Sequence, residues 1–292
     1  MPLHAHARLS GPALILVAAA SFGLMPLFSA APYRDGISPP ELLSLRFTLA
    51  SPLLWAFVLW AFVLWRKLEL PRGRTLLTLI AMGMFGYSGV ALCYFWALTL
   101  APGVVVSLLL YLYPAFVVIL CWPLLGERPS VRRLLALTLA LTGCALTIGY
   151  AGGAKPLGLV LGIASGIIYA LYTIAGRTLP ATVPALTQAA VVSSASALSM
   201  LVLTLPSGPS LPHSPQAWAG ALGLALVSSV IGISAYLAGL RRLGPARAAV
   251  LSTFEPVVTA LVGAAVLAEP LGRGTLAGGA LILAACTLVL KS

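Results

Sequence analysis

Long apolar runs follow one another along the chain, broken only by short polar interruptions. They are Pro12–Ala31, Pro40–Trp65, Thr75–Leu98, Gly103–Leu125, Leu134–Tyr150, Leu157–Arg177, Ala185–Leu205, Gln216–Leu240, Ala246–Leu267 and Thr275–Leu290. A bilayer core of ~30 Å needs about 20 mostly apolar residues per helix, and each run approaches that length. The pattern therefore predicts an all-α polytopic membrane protein of ten transmembrane helices. Little is left over for an extramembrane domain. The connections are short and carry Pro and Gly, as in "LAPGV" and "YAGGAKP", and the longest, Pro206–Pro215, is too small to fold alone.

Composition agrees, and charge adds an orientation. Of 292 residues, 60% are hydrophobic and 8% charged, with a mean hydropathy of +1.05; a soluble domain is about 25% charged. The net charge of +11 would suggest nucleic acid in a soluble protein. Here it is the excess of Lys and Arg that marks cytoplasmic loops. With the N-terminus inside, the cytoplasmic segments hold Arg8, Arg66, Lys67, Arg72, Arg74, Arg128, Arg132, Arg133, Arg177, Arg241, Arg242, Arg247 and Lys291. The outer loops keep Arg34, Lys155 and Arg273, and Arg46 lies inside the second run. Both termini are thus expected in the cytoplasm. Trp60, Trp65, Trp96, Trp122 and Trp218 fall near run ends, where amphipathic rings prefer to lie, while Trp55 is deeper. Cys93, Cys121, Cys144 and Cys286 sit in apolar runs and read as packing residues, not a disulfide framework. The first run continues too far for a cleaved signal and reads as a retained helix.

The chain also repeats itself. A shift of 142 residues places Pro114 on Pro256, Glu127 on Glu269, Cys144 on Cys286 and Tyr94 on Tyr236, and aligns "YLYPAFVVILCWPLLGE" with "TFEPVVTALVGAAVLAE" without a gap. Each copy, 1–150 and 151–292, holds five runs. Five is odd, so the second copy crosses the membrane in the opposite sense, the inverted-repeat plan of many secondary transporters with a site near the midplane. Gly158, Gly162 and Gly166, with Gly274 and Gly278, form small-residue faces for close helix packing.

Few polar residues lie at depth. Glu255 in "STFEPVV" is about nine residues into its run, roughly 14 Å along it. A charge there costs at least ~2.5–3.5 kcal/mol. Next to it, Pro256 lacks an N–H, which strips the Ser252 carbonyl of its helical donor and bends the helix. Either Glu255 braces that bend with a hydrogen bond, or it lines a wet cavity and binds or couples; both readings stand. The repeat pairs Glu255 with Tyr113, beside Pro114. By depth and period Tyr111, Tyr87, Tyr169, Tyr172, Ser228, Ser229 and Ser252 are further candidates, the aromatic hydroxyls suiting an amphipathic solute. Arg46 is expected to snorkel outward or pair with Glu41 or Asp35. Glu127 and Glu269 read as loop braces beside Arg128, Arg132 and Arg273.

"LRFTLASPLL", "YPAFVVILCWPLLGERPS" and the stretch from "AYLAGLRRLGPARAAVLSTFEPVV" to the end of the last run together resemble both repeats of EamA-type proteins of the drug/metabolite transporter superfamily. The resemblance implies a ten-helix carrier in the inner membrane, an exporter of amino acids, metabolites or amphipathic compounds, with a cavity built from helices one, three, four, six, eight and nine. The family's first helix often carries a Trp-Gly pair where this chain has "SFG", which leaves Phe22 as the aromatic there. A non-transporting scaffold and a channel-like facilitator are the alternatives. His4, His6 and His213 lie outside the runs and no Ser/His or paired-aspartate constellation falls within them, so no enzyme, metal site or cofactor is expected. No phosphate-cradling Gly-Lys loop predicts ATP use. The expected partners are a small-molecule substrate and lipid, not nucleic acid.

Overall fold

A computed structural model describes residues 10–65, 70–101, 103–148, 155–208, 211–266 and 272–290. Arg8, Arg66, Lys67, Glu269 and Lys291 lie outside the described residues. The helices are α1 (Gly11–Arg34), α2 (Pro39–Val63), α3 (Gly73–Leu98), α4 (Val105–Leu125), α5 (Val131–Ile148), α6 (Pro156–Thr178), α7 (Ala185–Thr204), α8 (Pro215–Leu243), α9 (Pro245–Val266) and α10 (Arg273–Leu290). Among the described residues all but α5 are long and apolar enough to cross a bilayer, and α5 is an 18-residue helix lying along α10.

Capping starts several of them. The Ser10 and Ser214 hydroxyls accept from the first-turn amides of Ala13 and Ala217 at 3.4 and 3.1 Å, which satisfies donors the helix cannot pair. Pro follows in the first turn of both, where its missing N–H costs nothing.

Four helices are irregular, and the irregularities are spaced like the sequence repeat. In α3 the stretch Met82–Tyr87 is π-helical, as is Leu224–Ile233 in α8. The α4 helix is interrupted between Leu110 and Tyr113, and α9 between Ser252 and Glu255. The starting residues of each pair are 142 apart (Met82 to Leu224, Tyr113 to Glu255), as are Gly73 and Pro215, and Val131 and Arg273. A fifth irregularity, at Leu24 in α1, has no counterpart in α6, which runs unbroken.

Packing follows the same exchange. Helix α2 lies along α7, α5 along α10, and α4 crosses α9. The α3–α6 contact matches α1–α8, and α4–α6 matches α1–α9. Swapping the first five helices for the last five leaves this scheme unchanged. Small residues allow the approach. A Cβ added at Gly162 would stand 2.7 Å from Leu109, and one at Gly274 2.9 Å from the Leu146 carbonyl. The glycine stripes thus serve packing within this chain. The outer surface is apolar as lipid requires, with Trp60, Phe85, Trp96 and Trp122 all exposed.

Candidate functional site: a cavity shared by the two halves

A cavity of about 850 Å³ opens between α1, α2, α3, α4, α6 and α9. Such a volume suits a small organic ligand. Tyr33, Pro39, Leu98 and Thr275, at helix ends, ring its mouth, and Tyr113, Tyr169 and Tyr172 line its floor. Those floor rings interlock. Tyr113 and Tyr169 lie 4.2 Å apart between centroids, and Tyr172 stacks on Tyr236 at 6.4 Å. Beneath them the Tyr236 hydroxyl bonds Thr173 Oγ1 at 2.7 Å, and Tyr113 Oη donates to the Ala249 carbonyl at 3.3 Å. The cavity is therefore open at one end and closed at the other.

Broken helices place the central residues. The bend expected at Pro256 is a full interruption of α9. With its i+4 donor gone, the helix closes with tighter turns, Thr253 N–H to Val250 O and Phe254 N–H to Leu251 O, both 3.2 Å, and restarts at Glu255. The same happens in α4, where Leu112 N–H reaches Leu109 O at 3.2 Å and the helix restarts at Tyr113. Glu255 and Tyr113 thus hold matching positions at the start of a half-helix. Both line the cavity, and Pro256 joins them, while Pro114 is buried behind the wall. Tyr111, which also lines the cavity, and Arg46 are the neighbouring groups that favour charge on the Glu255 carboxyl electrostatically.

Arg46 departs most from expectation. It neither snorkels nor pairs with Glu41 or Asp35. Its side chain is 3% exposed and lines the cavity. Its Nε donates to Ser229 Oγ at 2.8 Å, Nη2 to Tyr87 Oη at 3.2 Å and Nη1 to Met25 Sδ at 3.3 Å, and its guanidinium lies 5.1 and 5.7 Å from the Phe47 and Tyr87 ring centroids. Glu41 instead accepts from the Ser38 amide at 2.8 Å, and Asp35 accepts from the amides of His213 and Ser214. The signal was present in the sequence, since Arg46 lies several residues inside an apolar run, whereas Arg177 and Arg247 sit at run ends.

Other candidates divide cleanly. Tyr87, Tyr111, Tyr169, Tyr172 and Phe22 line the cavity. The three serines lie behind its wall. Ser229 holds Arg46, Ser228 Oγ donates to the Ser21 carbonyl at 3.2 Å, and Ser252 Oγ donates to Ala248 O at 2.9 Å within its own helix. Lining residues not anticipated include Tyr94, Ser107, Met25 and Thr259. Glu127 is a brace as expected, but its partner is Arg133 at 3.9 Å.

Comparison with known proteins decides the family. The EamA-like transporter family matches twice, at residues 9–149 and again at 156–291. The chain belongs to the EamA-like transporter family. Among its relatives is an uncharacterized transporter of Archaeoglobus fulgidus, 31% identical over 73% of this chain and 76% of its own. Another is the uncharacterized transporter YcbK of Bacillus subtilis, 26% identical over 90% and 87%. A solved crystal structure superposes with a TM-score of 0.81 at 24% identity, covering 95% of each chain, and speaks to the fold. This EamA-like protein is accordingly a multi-pass membrane transporter.

Proposed function

We propose that this EamA-like protein is a secondary transporter that exports a small metabolite, amino acid or amphipathic organic solute across the inner membrane by alternating access. Its two inverted five-helix repeats, 1–150 and 151–292, share the cavity, and the form described here is open to the outside. The observation that carries this reading is the cavity itself. Residues from the first and last five helices wall it, among the described residues one carboxyl and one guanidinium line it, and tyrosines floor one end. Two like halves facing opposite ways have two arrangements of similar energy, each open to one side. The matching helix breaks and the symmetric packing scheme support the repeat. The mouth residues Tyr33, Leu98 and Thr275 sit near the ends of α1 and α3 and the start of α10, and the few cations in the sequence between these helices and their neighbours support an outward-facing mouth.

Labelling tests it. In a variant with Cys93, Cys121, Cys144 and Cys286 replaced by alanine, Ser29→Cys sits in the cavity and Ala249→Cys beneath the tyrosine floor. A membrane-impermeant maleimide applied to intact cells is expected to label Cys at 29 and spare Cys at 249. Labelling of both would mean a continuous pore, and protection of position 29 would mean that the cavity does not face outward.

A further inference from the structure

Arg46 is a buried cation whose hydrogen-bonding capacity is only partly used. A guanidinium carries five N–H donors. One on Nε serves Ser229, one on Nη2 serves Tyr87, and one on Nη1 points at the weak acceptor Met25 Sδ. Each terminal nitrogen keeps one more. No carboxylate among the described residues pairs directly with this guanidinium, and Glu255 acts on it only electrostatically. A buried charge without a paired counter-charge is costly. Its contacts come from α1, α3 and α8, which hold the guanidinium from three sides.

The arrangement around it is selective. Two N–H groups on adjacent terminal nitrogens form the fork that matches a carboxylate bidentately. Apolar and aromatic groups border the guanidinium, Met25, Phe47 and Tyr87 among them. We infer that Arg46 is the anion-binding residue of the cavity, and that the substrate carries a carboxylate on an apolar or aromatic body. This rests on the transport reading and deepens it. The substrate's charge completes the pairing that the fold leaves open.

Three near-isosteric probes decide it at pH 7: phenylacetate, phenylacetamide and protonated phenethylamine. The readouts are the thermal midpoint of the purified protein and protection of Cys at 29 from maleimide. Phenylacetate is expected to stabilise and protect at concentrations at least about tenfold lower than the amide, the usual scale for a charge-assisted bond. Arg46→Lys should keep part of that preference, and Arg46→Gln should erase it. Equal potency of acid and amide, or preference for the amine, overturns the assignment, and the wild-type comparison alone settles this if Arg46→Gln does not fold. In those cases the cavity still takes small solutes and the transporter reading stands. Absence of protection by all three overturns the assignment too, and the transporter reading falls with it only if position 29 is also unlabelled from outside.

Discussion

Three serines that look alike in the sequence do different things in the fold. Ser252 donates to a carbonyl of its own helix and Ser228 to a carbonyl of α1, whereas Ser229 is the acceptor for a buried guanidinium. A hydrogen bond to a charged group contributes about 1.5–3 kcal/mol, and one between neutral groups about 1. Ser229→Ala is therefore expected to destabilise the purified protein by about 2 kcal/mol, and Ser252→Ala by about 1 or less. Thermal midpoints in one detergent would check this, and equal effects would show that Ser229 does not hold Arg46. Residue-level reading of the sequence located Glu255 and the tyrosines because ionisable and hydroxylated groups are conspicuous in apolar runs. It could not separate the serines, since depth and period do not say which way a hydroxyl turns.

Among the elements, the π-helical stretch of α3 shows how irregular backbone is kept satisfied. The Ser88 amide bonds back five residues to the Gly83 carbonyl, and that carbonyl also accepts from the hydroxyls of Ser88 and Ser196, each at 3.1 Å. In lipid such backbone survives only where protein completes its bonds. The widened turn sets Tyr87 against Arg46. Gly83 is required there by proximity, since a Cβ would come within 2.5 Å of the Val192 carbonyl and 2.6 Å of Ala195 Cβ. Gly83→Val should separate α3 from α7 and cost about 1–3 kcal/mol, the range for overpacking. Loss of midpoint stability would register it, and an unchanged midpoint would refute the close approach. The proline breaks were legible in advance because a missing N–H acts locally. No comparable signal announces a π-helix, which arises from contacts with a neighbouring helix.

At the scale of the whole molecule, Asp35 ties segments far apart in the chain together. Its carboxylate accepts from the amides of Ser214 and His213 at 2.8 and 2.9 Å and from the Ser214 hydroxyl at 3.0 Å. This joins the α1–α2 turn to the start of α8. The Ser214 amide foremost, with the Ser214 hydroxyl and the His213 amide, holds the Asp35 carboxyl below its ordinary pKa of 3.8 against a smaller opposing effect of desolvation. A group with a lowered folded pKa stabilises the fold above its unfolded pKa and loses that contribution as pH falls through the folded value. Asp35→Asn should therefore melt below the wild type at pH 7, with the difference shrinking below pH of about 4. A gap that persists unchanged at pH 3 would remove the carboxylate's charge from the explanation.

Sequence by itself determined the solvent, the helical class and the family that matches twice along the chain. Hydrophobic run length answers directly to bilayer thickness, and the shared Pro and Glu spacing survives any folding. It also marked Glu255 and the tyrosine set, because their placement in apolar surroundings demands explanation before any contact is known. Tertiary structure alone decided that Arg46 faces inward. A guanidinium near a helix end can reach water or turn into the bundle, and only the acceptors on α1, α3 and α8 choose between them. The cavity with one end open is likewise a property of packing. It depends on which helices meet, and meeting is settled by side-chain contacts between residues far apart in the chain.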